Sequence, residues 1–368
     1  MIKHISVIGN GYVGSSLARA AQTAGYDVIA IDLNNHSAPY DVFVDYEHIS
    51  SSDAIFICLP TPMGNDSYPD NSALFDAAGE IAKNMKEGAI VVVESTVAIG
   101  TTKKIAAIIG SQTDKDFGIA YCPERIDPGN PKWNIKNTTK IVASEDPGVI
   151  NTLLSFYHSF VIDTVVSKSI EDAEAAKLLE NTFRLVNISL VNELSILFDK
   201  MDININEVVS LASSKDFGYM PFNAGIGAGG HCIPVDPQFL SSTAKHQGIE
   251  LPVLNAAKQI NDFMPEFYLE KANQALDGLA GKKIIVVGIS YKPDVSDMRE
   301  SRSWRLIEML REAGANVYWH DEVVNHHYGE YSQGLQNDTD LGIIVHRHKS
   351  FNEDMLSNLL VIDCERRV

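Results

Sequence analysis

The sequence predicts an α/β fold with two doubly wound parallel sheets, joined by a long central helix and an α-helical middle domain. Three observations predict it. Short apolar runs alternate with amphipathic helical segments from Lys3 to Tyr121, the pattern of a parallel sheet with crossover helices. No Gly or Pro interrupts the chain between Ser169 and Asp202. Near the C-terminus a second strand–helix–strand unit echoes the first. At roughly 100–200 residues per domain, the 368 residues divide into segments 1–165, 166–275 and 276–368.

Taken in order, Lys3–Ile8 reads as a buried strand that runs into Gly9-Asn10-Gly11-Tyr12-Val13-Gly14. Ser15–Ala24 has helical character, Gly25 stands where a helix ends, and Asp27–Ile31 is a second strand that ends at Asp32. This is the Rossmann pattern. Gly9 permits the tight turn, Gly11 lets backbone approach a pyrophosphate, and Gly14 lets helix pack on strand, with the helix N-terminus facing the negative charge. Asp32 can accept hydrogen bonds from a ribose diol. Leu33, Asn34 and Asn35 follow it, with no Arg to meet a 2′-phosphate, so NAD is favoured over NADP.

The alternation continues through strands at Ala54–Leu59, Ile90–Val93 and Phe117–Tyr121, with helices at Ala73–Met85 and Gly100–Ile109. Thr61, Thr96 and Glu124 lie just past strand ends, where ligands of such sheets sit. Taken singly, Thr61 or Thr96 reads equally well as a helix cap.

Lys+Arg totals 30 against 48 Asp+Glu, a formal charge of −18. That balance argues against nucleic acid or an anionic membrane as a main partner. No apolar run reaches the roughly 20 residues that span a bilayer, and Met1-Ile2-Lys3-His4-Ile5 leads into a strand rather than a cleavable signal. The four Cys lie far apart without a CxxC, which fits a reducing cytoplasm, no disulfides and no metal site.

The uninterrupted central segment would make a helix of about 45 Å at 1.5 Å per residue, long enough to bridge two domains and to form a subunit interface. Leu179, Phe183, Val186, Leu190, Leu194 and Leu197 form one apolar stripe; Ala173, Lys177, Asn181, Ile188 and Asn192 form another. Lys177 and Asn181, four apart, share a face. A Lys there reads most simply as a snorkelling side chain; the same spacing suits a Lys and an amide aimed at one reacting oxygen.

Gly227-Ala228-Gly229-Gly230-His231-Cys232-Ile233-Pro234-Val235-Asp236-Pro237 is a glycine loop stiffened by prolines. A Cys here is not a core Cys; His231, or a following helix N-terminus, is placed to favour its thiolate. Asp236, four residues on, is placed to orient a water or a base. In the third segment Lys283–Gly288 reads as a strand, Ser301–Ala313 as a helix and Asn316–Trp319 as a strand before His320 and Asp321. Ala313-Gly314-Ala315-Asn316-Val317 echoes Ala24-Gly25-Tyr26-Asp27-Val28. Its strand-to-helix turn has no GxGxxG but carries Lys292 and Arg299, which suit a diphosphate rather than a second NAD.

These motifs, in this order, resemble those of the UDP-glucose/GDP-mannose dehydrogenases: GNGYVG, CLPTP, ESTVAIGTT, PERIDPGN, AEAAKLLENTFRLVNISLVNEL, GAGGHCIPVDP, NDFMP and YKPDVSDMRES. GGHCIPVDP and PERIDPG look closer to the UDP-N-acetyl-hexosamine branch than to UDP-glucose enzymes. The resemblance implies oxidation of a sugar C6 hydroxyl to an aldehyde and then a carboxylate, with Cys232 as covalent nucleophile. It implies Lys177 and Asn181 as oxyanion stabilisers, Asp236 as orienter of water, and Glu124 in thioester hydrolysis. By the same resemblance Gly9, Gly11, Tyr12, Val13, Gly14, Asp32, Thr61, Thr96 and Arg299 belong to the NAD site. Glu124, Arg125, Lys177, Asn181, Gly229 and Lys292 would line the UDP-sugar site, and a homodimer would form through the central helix. The chain departs from the family at Tyr219–Ile226, which has no Arg where the family commonly supplies one, and at Asp340–His346, a loose match. Three other readings fit parts of the pattern. One is a UDP-glucose 6-dehydrogenase. Another is a one-step dehydrogenase of the 3-hydroxyacid type, which shares the Lys/Asn spacing but lacks the Cys loop and the second Rossmann-like half. The third is a non-catalytic nucleotide-sugar binder.

Overall fold

Eight strands make the first sheet, and the near-total burial of its first, fourth, fifth and seventh in chain order explains their apolar sequences. In chain order the elements are β1 (His4–Ile8), α1 (Tyr12–Thr23), β2 (Asp27–Ile31), β3 (Asp41–Phe43), β4 (Ala54–Ile57), α2 (Ser72–Asn84), β5 (Ala89–Val93) and α3 (Thr101–Gln112). They continue with β6 (Phe117–Tyr121), β7 (Lys140–Ala143), α4 (Pro147–Tyr157), β8 (Thr164–Ser167) and α5 (Ile170–Lys200). The strand order is β3-β2-β1-β4-β5-β6-β7-β8. The computed structural model describes residues 1–368 except 35–37, 65–67, 128, 129, 131, 335, 337 and 366–368. Asn35, and Pro128 and Gly129 of the Pro123–Asn130 motif, lie outside the described residues.

The chain forms two compact units, Met1–Glu180 with Gln238–Ile249, and Asn181–Pro237 with Glu250–Val368. In the first, α1 and α4 cover one sheet face through Leu17, Ala21, Leu153 and Phe156. Helices α2 and α3, with the start of α5, cover the other through Leu74, Ile81, Ile105 and Ala173. The sheet departs from the all-parallel expectation at β7, which pairs antiparallel with β6. Among its described residues the β6–β7 connection carries no crossover helix, and a parallel neighbour needs one; α4 then supplies the crossover that makes β8 parallel to β7.

The second unit holds the rest of α5, then α6 (Ile205–Ser213) and, after a helix α7 (Asp236–His246) that begins in this unit, α8 (Pro252–Leu276). There follow β9 (Lys283–Val287), α9 (Arg302–Glu312), β10 (Asn316–His320), the short pair β11 (His326–His327) and β12 (Glu330–Tyr331), β13 (Leu341–Ile344) and β14 (Val361–Asp363). Its sheet, β10-β9-β13-β14, is parallel throughout. Helices α8 and α9 cover one face, while the other packs on Phe351, Met355, Leu356 and Leu359.

The repeat seen in the sequence extends to individual hydrogen bonds. Ala24, Gly25 and Tyr26 amides bond to the Ala20, Gln22 and Ala21 carbonyls; Ala313, Gly314 and Ala315 amides bond to Met309, Arg311 and Leu310. Both glycines are left-handed, at φ 95° and 88°, as a helix-ending turn requires. The Gly9 amide bonds to the Ile31 carbonyl, and the Gly288 amide to that of His320.

The central helix shows which of its two stripes faces inward. Leu179 and Phe183 are 62% and 48% exposed, and Leu190 and Leu197 also face outward. The buried face is the other one, with Ala173, Glu174, Lys177, Leu178, Leu185, Ser189 and Asn192. Glu174 is fully buried because it caps another helix: its carboxylate accepts the Gly100 amide at 2.5 Å and the Thr102 amide at 2.9 Å, at the N-terminus of α3, where a negative charge is favoured. Truncation would leave both amides without that acceptor. Glu174→Ala should therefore lower stability by about 1–3 kcal/mol in urea unfolding, with Glu174→Gln recovering part of the loss. Equal stability in all three proteins would show that the cap contributes nothing.

Candidate active site

At the strand exits of the first unit the predicted residues converge. Gly9 adopts φ 92°, and a Cβ on Gly14 would lie 1.9 Å from the Gly9 carbonyl oxygen, so both positions require glycine. A Cβ on Gly11 would meet nothing, so backbone there is open to a ligand. No acidic side chain stands in the first turn of α1, which suits an anion at that N-terminus. Asp32 is oriented by two amides, Asn10 to Oδ2 at 2.6 Å and Asn34 to Oδ1 at 2.8 Å, with lone pairs remaining for a diol. These features fit NAD. Tyr12 is exposed, and Val13 packs on the core.

Neither Thr61 nor Thr96 caps a helix. Thr61, buried at the exit of β4, donates through Oγ1 to the Thr96 carbonyl at 2.7 Å, which ties the two neighbouring exits together. Glu124, after β6, accepts the Arg125 and Ile126 amides on Oε1, each at 2.6 Å, so Oε2 takes neither bond. The Arg125 guanidinium is held in a fork by Glu180 and donates to the Thr139 carbonyl. Behind Glu124 lies a feature that sequence reasoning missed. The Glu124 amide bonds to the Glu94 carbonyl, and the Glu94 side chain, fully buried, pairs with Lys140 and accepts from the Tyr157 hydroxyl at 2.5 Å. Burial works to neutralise Lys140, but the Glu94 and Glu124 charges outweigh it and raise its pKa. The only sequence signal was a Glu at a strand exit and a Lys opening an apolar strand.

In the second unit Cys232 is exposed, and its carbonyl accepts the Val235 and Asp236 amides, the first turn of the approach to α7. Asp236 is buried and its Oδ2 accepts Nδ2 of Asn181 at 2.5 Å. Thiol, carboxylate and amide are thus joined by one turn and one hydrogen bond. Lys177 lies one turn before Asn181 on α5 and is buried; among the described residues its ammonium has no hydrogen-bond or ion-pair partner.

The glycine loop docks on the loop that carries Lys292 and Arg299. A Cβ on Gly229 would lie 2.6 Å from the Glu300 carbonyl, and one on Gly230 would lie 2.7 Å from the Tyr291 ring. The Gly230 amide bonds to the Arg299 carbonyl. Arg299, expected at the cofactor, is here held by Asp297 in a fork. Burial works to raise the Asp297 carboxyl, but the Arg299 hydrogen bonds outweigh it and hold it below the usual range. His231 is not the cation that favours the thiolate. Burial, and then the Arg299 charge, push its pKa down, so at neutral pH it is an uncharged imidazole.

Asn261 was legible only as part of a motif. Buried on α8, it accepts the Ala228 amide at 2.6 Å and donates to the Ala228 carbonyl at 3.0 Å. Pro265, inside α8, supplies no N–H to the Asn261 carbonyl, and Gly227, at φ 105°, approaches that carbonyl closely enough to exclude a Cβ.

Comparison with known proteins gives three family matches. Models described as the NAD binding, central and UDP binding domains of the UDP-glucose/GDP-mannose dehydrogenase family match residues 36–161, 171–263 and 285–368. Protein CapL of Staphylococcus aureus is 32% identical, over 99% of this chain and 94% of its own. The UDP-N-acetyl-D-glucosamine 6-dehydrogenase of Salmonella typhi is 30% identical, over 95% and 91%. The solved structure of the UDP-D-ManNAc dehydrogenase of Pyrococcus horikoshii is similar, with TM-score 0.89 and 28% identity over 98% of this chain and 95% of that one. Among the described residues no helix is long and apolar enough to cross a membrane.

Cys58, Cys122 and Cys364 are buried, and burial pushes all three thiols up, Cys122 to about 12. The folded protein should take up one carboxamidomethyl group from iodoacetamide, mapped to Cys232 by peptide mass, with uptake abolished in Cys232→Ser. A label on Cys122 in the folded protein would contradict this.

Proposed function

The chain belongs to the UDP-glucose/GDP-mannose dehydrogenase family, NAD-dependent oxidoreductases, and on that premise we propose that it oxidises the C6 hydroxyl of a UDP-N-acetyl-hexosamine to the uronate in two steps. The observation that carries the reading is the exposed Cys232 thiol, one turn from an Asp236 that holds Asn181. Bound NAD⁺ supplies a hydride acceptor for each oxidation. Gly9, Gly11, Gly14 and the start of α1, with Tyr12 and Val13 beside them, would hold its pyrophosphate and Asp32 its ribose, with Thr61 and Thr96 at the neighbouring exits.

The protein's part is to keep the aldehyde and to steady charge. Cys232 Sγ adds to the aldehyde carbon, a C–S bond forms, and the carbonyl π pair becomes an oxyanion that takes a proton. Asn181 has two amide hydrogens; one is committed to Asp236, and the other, with the Lys177 ammonium, faces the oxyanion. Loss of a hydride from that carbon and of the proton from its oxygen leaves a thioester. Water then adds, the C–S bond breaks, and the sulfur leaves as thiolate while Glu124 takes a proton from the water. Lys292, with Gly229 and Arg125 lining the sugar side, takes the diphosphate charge, and Arg299 lies beside the thiol loop.

The outward apolar stripe of α5 supports a homodimer through that helix. The acidic balance of the chain supports a small-molecule substrate rather than nucleic acid, and its reduced-type cysteine usage supports a cytoplasmic enzyme. The substrate reading rests on the GGHCIPVDP form and on relatives named for N-acetyl-hexosamine substrates.

Incubation with UDP-N-acetyl-hexosamines, UDP-glucose and GDP-mannose should give two NADH per uronate with one of the acetamido sugars. One NADH per sugar would overturn the double oxidation, and preference for UDP-glucose would overturn the substrate. Cys232→Ala should lower uronate formation about 10³-fold or more while NAD still binds. Asp32→Ala should raise the KM for NAD by about 10- to 100-fold, the loss of one or two ribose hydrogen bonds; an unchanged KM would place the ribose elsewhere.

A further inference from the structure

We propose that His348 is the positioning residue of the nucleotide-diphosphate site, fixing the loop that carries Lys292. The inference rests on the reading that Lys292 takes the diphosphate. His348 follows β13 and is 3% exposed. Its Nδ1 accepts the Asp294 amide at 2.8 Å, so the ring proton is on Nε2, which lies 3.0 Å from Asp321 Oδ2. Asp321 is itself immobile. Its Oδ2 accepts the Ile289 and Ser290 amides and its Oδ1 those of Val323 and Val324.

The loop is therefore gripped at both ends. Asp321 holds Ile289 and Ser290, and His348, its Nε2 in contact with Asp321 outside hydrogen-bond geometry, holds Asp294; Lys292 lies between, its carbonyl accepting the Ser290 hydroxyl at 2.9 Å. Asp294 is at φ 61°, a conformation that costs about 1 kcal/mol or more and persists only where its surroundings impose it. His348 binds its amide, and the next residue, Lys349, donates its own amide to Asp294 Oδ1 at 2.9 Å. The same loop presents the Tyr291 ring against Gly230, so the grip on Lys292 also sets the wall of the Cys232 loop. A cation that must meet a phosphate within a few tenths of an ångström needs such support.

Two substitutions separate the ring's Nδ1 hydrogen bond from its Nε2 contact with Asp321. Asn places an acceptor oxygen where Nδ1 stands, and Gln places a donor nitrogen where Nε2 stands. In the full-length enzyme, His348→Gln should raise both the KM for the UDP-sugar and the calorimetric Kd for UDP about 10-fold, with kcat and the KM for NAD within about twofold. His348→Asn should bind UDP within about threefold of the parent. Lys292→Ala is measured beside them. If it weakens UDP binding while His348→Gln does not, the inference fails and the Lys292 assignment stands. If Lys292→Ala leaves UDP binding unchanged, the assignment itself fails. Equal losses in the Asn and Gln variants, spread over kcat and NAD binding, would reduce His348 to a general structural residue and overturn the proposal.

Discussion

In each sheet a carboxylate just past one strand accepts the amide just past its parallel neighbour. Asp32 accepts from Asn10 at 2.6 Å, and Asp321 from Ile289 at 2.8 Å. Parallel strands end with amides that nothing in the sheet can satisfy, and a buried amide without a partner costs about 1–3 kcal/mol. The carboxylate removes that cost and fixes the turn that follows. Everything the turn carries depends on that bond: Gly11 and the start of α1 in the first unit, and Tyr291, Lys292 and the wall of the thiol loop in the second.

The two copies differ in what else reaches the carboxylate. Asp32 is only half-buried, and the amides of Asn10 and Asn34 leave part of its hydrogen-bonding capacity. Asp321 is fully buried, with four amides and the His348 ring around it. A ribose diol can approach the first but not the second. The same backbone device thus leaves an accessible carboxylate in one unit and fixes a cationic loop in the other. Burial and loop composition separate the two, and the fold is common to both.

Much of this was legible in the sequence. Period and glycine placement located β1, β2, β6 and β9, and the Ala-Gly echo identified a repeat that holds down to single hydrogen bonds. The strands β3, β7 and β8 and the long helix α8 were not located. β3 and β8 are short and only partly buried, and Pro265 lies within the helical period of α8. The stripes of α5 were legible but not which of them faces the core, because spacing shows that a face is apolar and not what covers it. The Glu94–Lys140 pair and the Asn261 clamp were hidden for a further reason. Each joins residues far apart in sequence, and a buried polar side chain leaves no periodic trace.

The chemistry of the thiol follows from the same contrast between burial and support. Three of the four cysteines are buried, where desolvation first, and neighbouring carboxylates after it, hold the thiol protonated. Cys232 escapes: Gly229 and Gly230, just before it, bring its loop onto backbone and ring surfaces that no Cβ would allow, and its own side chain is exposed. His231 sits beside it as a neutral ring. The Val235 and Asp236 amides of the turn into α7 donate to the Cys232 carbonyl, and the Arg299 charge, held first by Asp297, also acts on Cys232. Arg299 is fixed by the loop that Asp321 and His348 hold, so one buried carboxylate sets the surroundings of both Lys292 and the Cys232 loop.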